Sequence, residues 1–146
     1  MGNELAIQNG LSINTTFRDS KGQKIDVTRL QQSTQFTAVI EVANLTGEFV
    51  DNIALTQLIP SGWEIINTRF TDYGSNENSD IDNIDIRDDR ANFYFYLRGN
   101  QKRTLVLKLN ASYAGRYYLP GTYAEAMYNN RYNTRTNGNW VEVMKK

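Results

Sequence analysis

Apolar and polar residues alternate with a period of two along nearly the whole chain, and this pattern restricts the fold more than any other feature. An extended strand sends successive side chains to opposite faces, so such text buries one face only if it builds a sheet. The longest clean run places Leu105, Leu107, Leu109, Ala111 and Tyr113 on one face, opposite Val106, Lys108, Asn110 and Ser112. Phe36, Ala38, Ile40 and Val42 alternate in the same way with Thr37, Val39, Glu41 and Ala43. Leu11, Ile13, Thr15 and Phe17 predict a further strand, as do Ile53, Leu55, Gln57 and Ile59, the stretch from Trp63 to Phe70, and Ala91 to Leu97. Turn chemistry punctuates the runs at Asp19-Ser20-Lys21-Gly22, Asn44-Leu45-Thr46-Gly47, Pro60-Ser61-Gly62 and Arg98-Gly99-Asn100-Gln101.

No window carries a sustained helical stripe, and a helical turn is expected at most at Gln31–Gln35 and at Ala124–Tyr128. Short strands without βαβ alternation predict an all-β fold, an antiparallel β-sandwich whose two sheets pack face to face. The 146 residues read as a single domain, with the polar stretch 71–80 as a loop. Nothing approaches the roughly 18 apolar residues of a membrane span. The first residues show no secretory signal, and the start at Met1-Gly2 reads as a piece of a longer chain.

The chain has neither Cys nor His. Disulfides, thiolate or imidazole metal sites and His-based triads are therefore excluded, and no cofactor is expected. Net charge is zero, which counts against a nucleic-acid binder. The charges are nevertheless segregated. Residues 1–97 carry 7 basic and 14 acidic side chains and residues 98–146 carry 9 and 2, so the two parts stand at −7 and +7. Either the parts fold onto one another and cancel, or the basic part faces a partner.

Four groups of residues invite a functional reading. Asp80, Asp82, Asp85, Asp88 and Asp89 form the densest acidic cluster, with Arg87 and Arg90 among them. It lacks the glycine and the spacing of a calcium loop, so it reads as a salt-bridged strand edge, with a cation site as the alternative. Glu125 is the best single candidate for a catalytic carboxylate, but no base or nucleophile motif accompanies it and an enzyme is not expected. Pairing with Arg116 or Arg135 is its simpler use. Phe93, Tyr94, Phe95 and Tyr96 split into an inward Phe pair and an outward Tyr pair, the latter serving as cross-strand partners or as an interface. Asn14, Asn44 and Asn110 match the glycosylation pattern, with no role assigned.

The stretch from Tyr113 to Val143 is the most distinctive, with six Tyr between Tyr113 and Tyr132, one of two prolines and one of two tryptophans. Three pieces occur in order: Leu58-Ile59-Pro60-Ser61-Gly62-Trp63-Glu64-Ile65; then Asp85-Ile86-Arg87-Asp88-Asp89-Arg90 before an aromatic strand; then Tyr113-Ala114-Gly115-Arg116-Tyr117-Tyr118-Leu119-Pro120 with Ala124-Glu125-Ala126-Met127-Tyr128 and the closing Arg135 to Val143. Together they resemble the last macroglobulin-like domain of the bacterial α2-macroglobulins, large envelope proteins that trap proteases.

The resemblance implies a β-sandwich without catalytic function at the end of a multidomain inhibitor. Its partners would be the thioester domain and neighbouring macroglobulin domains of the same chain, with target proteases met through the whole molecule. It implies a periplasmic or cell-envelope location, in a parent anchored as a lipoprotein. It also carries a locking role onto Met127 and Tyr128, with Glu125 beside them, which keep water and amines from a thioester located elsewhere. The plain alternative is that Tyr128 pins the turn to its own sandwich. Tyr113 to Tyr118 and Trp140 to Val143 are expected to be the strands that hold this loop. The other reading of the whole chain is a cell-surface adhesin or carbohydrate-binding module.

Overall fold

The computed structural model describes residues 7–67 and 83–146. The stretch 71–80, the end of the strand expected to reach Phe70, and Asp80 and Asp82 lie outside them. Among the described residues thirteen strands follow one another: β1 (Ile7–Asn9), β2 (Leu11–Arg18), β3 (Arg29–Gln31), β4 (Thr34–Asn44), β5 (Val50–Leu58), β6 (Trp63–Asn67), β7 (Asn83–Arg87), β8 (Arg90–Leu97), β9 (Lys102–Ala111), β10 (Gly115–Leu119), β11 (Tyr123–Ala126), β12 (Asn129–Arg135) and β13 (Asn139–Met144).

They form a sandwich. One face is a sheet in the order β1-β12-β11-β5-β8-β7, and the other is β2-β4-β9-β6. A third, smaller sheet has the order β10-β13-β3, in which β13 and β3 run parallel while β10 and β13 run antiparallel. The predicted inward faces are the observed ones. Phe36, Ala38 and Ile40 of β4 meet Leu109, Leu107 and Leu105 of β9 in register, Val42 lies opposite Arg103, and all are buried. Ile53 and Leu55 of β5 lie beside Phe95 and Phe93 of β8, also buried. One contiguous apolar cluster draws on all three sheets, reaching Leu30, Leu119, Val141 and Val143. Tyr113 falls outside the alternation, because β9 ends at Ala111 and the tyrosine lies exposed in the following turn.

Gln57 and Thr122 are buried polar residues that bond one another within the interior. The hydroxyl of Thr122 donates to Gln57 Oε1, and Gln57 Nε2 donates to the Leu58 carbonyl at 2.9 Å. Both residues are buried, so these bonds remove the desolvation cost of leaving an amide unpaired.

The two allowances for a helical turn are not taken up. Ser33 sits at a φ of 73° in the tight turn between β3 and β4, and its amide bonds the Ala111 carbonyl at 2.7 Å. Ala124 to Ala126 belong to β11, with Met127-Tyr128 as the turn into β12. Sheet neighbours on both sides of β11 bond its backbone, which a single helical turn would leave without partners.

Candidate functional site

The hairpin of β11 and β12 carries the three residues singled out by resemblance. β11 is held between β12 and β5, with Glu125 opposite Ala54 on one side and Asn133 on the other. Ala124 and Ala126 point into the core, so Tyr123 and Glu125 lie on the outer face of the sheet. A register shift follows Glu125, and the Met127 amide bonds the Asn52 carbonyl at 2.9 Å. The turn is thereby tied to the start of β5, and its two side chains project away from the sandwich. Met127 is 45% exposed and Tyr128 is 83% exposed. A ring that open does not pin the turn to its own domain, so the plain alternative for Tyr128 finds no support in the packing.

Glu125 stands two residues before the turn. Its Oε2 accepts a hydrogen bond from the Tyr123 hydroxyl at 3.0 Å. Partial burial, with the Glu125 contact second, pushes the Tyr123 phenol above its usual value of 10.0. Arg135 is the register partner of Tyr123 and acts on it in the opposite sense. Arg116, the other expected partner of Glu125, lies in a different sheet, with its guanidinium 5.0 Å from the Trp140 ring centre. The expectation that Tyr113–Tyr118 and Trp140–Val143 hold the loop is corrected at the same time. Those segments pair with each other, Tyr118 opposite Trp140, whereas the loop is held by β5 through β11. Strands close in sequence were assumed to pair, and the chain instead crosses from one sheet to another between Leu119 and Tyr123.

The same end of the sandwich contains the loop that the sequence marks only as a turn. Between β4 and β5, Leu45 is 50% exposed and Phe49 is 58% exposed. Asn44, itself buried, holds this loop from within. Its Nδ2 donates to the Glu48 carbonyl at 2.6 Å and the Arg98 carbonyl at 3.0 Å, and its Oδ1 accepts from the Thr46 amide at 2.9 Å and hydroxyl at 2.8 Å. The buried amide is therefore structural and not an acceptor for glycosylation. Phe49 rests against Tyr96 with ring centres 5.4 Å apart, which gives the outward Tyr of β8 a role in an exposed aromatic pair. The signal in the sequence was an apolar residue at Leu45 and again at Phe49, inside text that otherwise reads as a turn.

The acidic segment behaves as a salt-bridged edge where it is described. β7 pairs only with β8 in its sheet. Arg87 Nε lies 3.2 Å from Asp85, and Arg90 Nε lies 3.1 Å from Asp89. The Arg90 hydrogen bond is the main cause holding the Asp89 carboxyl below its usual value. Among the described residues no three His, Cys, Asp or Glu side chains converge to hold a metal ion. Across β10, β13 and β3, Glu142 stands in register between Arg116 and Arg29.

Comparison with known proteins decides the family. The sequence model of the bacterial alpha-2-macroglobulin MG10 domain matches residues 10–130. The chain belongs to that family. An alpha-2-macroglobulin homolog of Yersinia pestis is 25% identical over 145 residues, covering 84% of this chain, and the chain spans 7% of that relative's length. Among solved structures, a mutant Salmonella alpha-2-macroglobulin superposes with a TM-score of 0.88 at 21% identity, over 97% of this chain and 10% of that one. The Escherichia coli alpha-2-macroglobulin spanning domain MG7 to the C-terminus gives a TM-score of 0.85 at 21% identity, over 98% of this chain and 25% of that one. The MG10 match agrees with the sandwich described above, and it includes the β11–β12 turn with Glu125, Met127 and Tyr128.

Proposed function

We propose that this chain is a single, non-catalytic domain at the C-terminal end of a longer protease-trapping α2-macroglobulin, where it packs against a neighbouring reactive domain and shields it. The observation that carries the reading is the Met127–Tyr128 turn, an apolar tip fixed at its base and open to solvent at its end. A thioester survives only where water and amines are kept out. A tyrosine ring excludes them while its hydroxyl still finds a hydrogen bond. Glu125, held by the Tyr123 hydroxyl, sets a fixed negative charge beside the tip. The periplasm or cell envelope is the proposed location, with the parent anchored as a lipoprotein.

Two relatives support the inhibitor reading. The Salmonella protein has been solved after reaction with methylamine, and the Escherichia coli protein after activation by porcine elastase. By analogy, the partners of this domain are the thioester and macroglobulin domains of its own parent, and proteases are met through the whole molecule. The test is methylamine incorporation into the longer parent chain before any protease is added. Tyr128→Gly is expected to accelerate incorporation, with Arg131→Ala, an exposed change on the same hairpin, as the control. Equal rates in Tyr128→Gly and the unsubstituted parent would overturn the shielding role.

A further inference from the structure

We infer that the β4–β5 loop is a second docking edge, and that Leu45 and Phe49 are buried together with Met127 and Tyr128 by one neighbouring domain of the same polypeptide. The inference rests on the docking role proposed above and extends it to residues outside the locking turn. Four of the seven large hydrophobic side chains that stand exposed among the described residues belong to these two loops. Both loops lie at one end of the sandwich, because Met127 bonds Asn52 at the start of β5, just beyond Phe49.

The loop is rigid where a surface loop would ordinarily fold its apolar side chains inward. The Leu45 amide bonds the Gly10 carbonyl at 2.9 Å, and the Asn100 amide bonds the Thr46 carbonyl at 2.8 Å. Asn44 fixes both ends of the loop from beneath. The loop is also coupled to the locking hairpin. Tyr132 of β12, buried, donates its hydroxyl to Glu48 Oε2 at 2.8 Å. Gly10 makes room for that tyrosine, since a Cβ at Gly10 would stand 2.7 Å from the Tyr132 ring. The two apolar tips therefore hold a fixed relation to one another, and little ordering entropy is lost when a partner covers both. Exposed aromatic and aliphatic side chains on a preorganised frame mark an interaction surface, not a solvated loop.

The occupant is a folded domain in the same chain and not a separate protein. The chain spans 7% of the length of its Yersinia relative, and the matching fold forms 25% of an Escherichia coli piece that starts at domain MG7. A surface next to the locking turn is thus presented to domains already tethered at high effective concentration.

Hydroxyl-radical footprinting read by mass spectrometry tests this. The 146-residue chain is compared with the longer parent at equal dose. Loss of labelling at Leu45, Phe49, Met127 and Tyr128 together in the parent is the expected result. If Met127 and Tyr128 are protected while Leu45 and Phe49 label as in the 146-residue chain, the second edge is overturned and the locking role stands. If all four stay labelled, the docking role itself falls. Protection of Leu45 and Phe49 in the 146-residue chain alone, rising with concentration and accompanied by dimer in sedimentation, would make a second copy the occupant and overturn the inference.

Discussion

The two ends of the sandwich use aromatic residues in opposite ways. At one end Phe17 of β2, Phe36 of β4 and Trp63 of β6 form a closed group, Trp63 meeting Phe36 edge-on with ring centres 4.8 Å apart and Phe17 at 5.9 Å. Phe36 and Trp63 are buried there. At the other end Phe49 and Tyr128 stand outward on loops tied down by backbone and side-chain hydrogen bonds, with Tyr96 of β8 beside Phe49. The first end uses its rings to stabilise the fold. The second uses polar bonds for stability and leaves its rings for something else. The difference teaches that exposure at the second end is not slack in the packing, since Asn44, Tyr132 and the Met127 amide hold that end in place.

The contrast is sharpest in stability. Trp63→Ala removes a buried ring and is expected to cost about 3–5 kcal/mol in urea denaturation. A loss below about 1 kcal/mol would mean that the closed end does not anchor the fold. Next in size is Asn44→Ala, which strands the Glu48 and Arg98 carbonyls and the Thr46 amide and is expected to cost about 1–3 kcal/mol. It should also speed hydrogen exchange at Thr46 before exchange rises in β4. Phe49→Ser, by contrast, should cost no more than about 1 kcal/mol, chiefly its lost contact with Tyr96, and Tyr128→Gly no more than about 0.5 kcal/mol, the range of surface substitutions. A larger loss for either would show that the open end contributes to the core after all.

The smallest effect concerns pH. The Thr28 amide, at 2.9 Å, and hydroxyl, at 2.7 Å, donate to Asp26 and hold its carboxyl below the ordinary 3.8. Such a group contributes stability above its unfolded pKa and loses it as pH falls through the lower folded value. The melting temperatures of Asp26→Ala and the unsubstituted chain should therefore differ slightly at pH 6 and converge below about pH 3.8. A difference that grows on acidification would contradict the assigned hydrogen bonds.

Much of this was legible in residue order. Alternation from Phe36 to Val42 and from Leu105 to Leu109 named the inward faces, because side-chain direction in a strand depends on position alone. The three pieces running from Leu58 to Val143 pointed to the family, and the match over residues 10–130 bears that out. Partner choice was less legible. Either Arg116 or Arg135 suits Glu125 in residue order, yet Arg116 lies over Trp140 in another sheet and Arg135 faces Tyr123 across β11 and β12. Ala124–Tyr128 admitted a helical turn because five residues carry too little periodicity to separate the two states.

The short strands β1, β3 and β11 escaped a reading of residue order, which settled most of the longer strands and the faces they bury, the absence of thiol and imidazole chemistry, and the family. These follow from local periodicity, residue inventory and the order of motifs. Long-range pairing, by contrast, came with the fold: β10 and β13 form their own sheet with β3, and Leu45 and Phe49 join Met127 and Tyr128 at one end. The physical reason is that each of these depends on which strands bond across long separations, and a backbone amide and carbonyl carry no mark of the partner they will find.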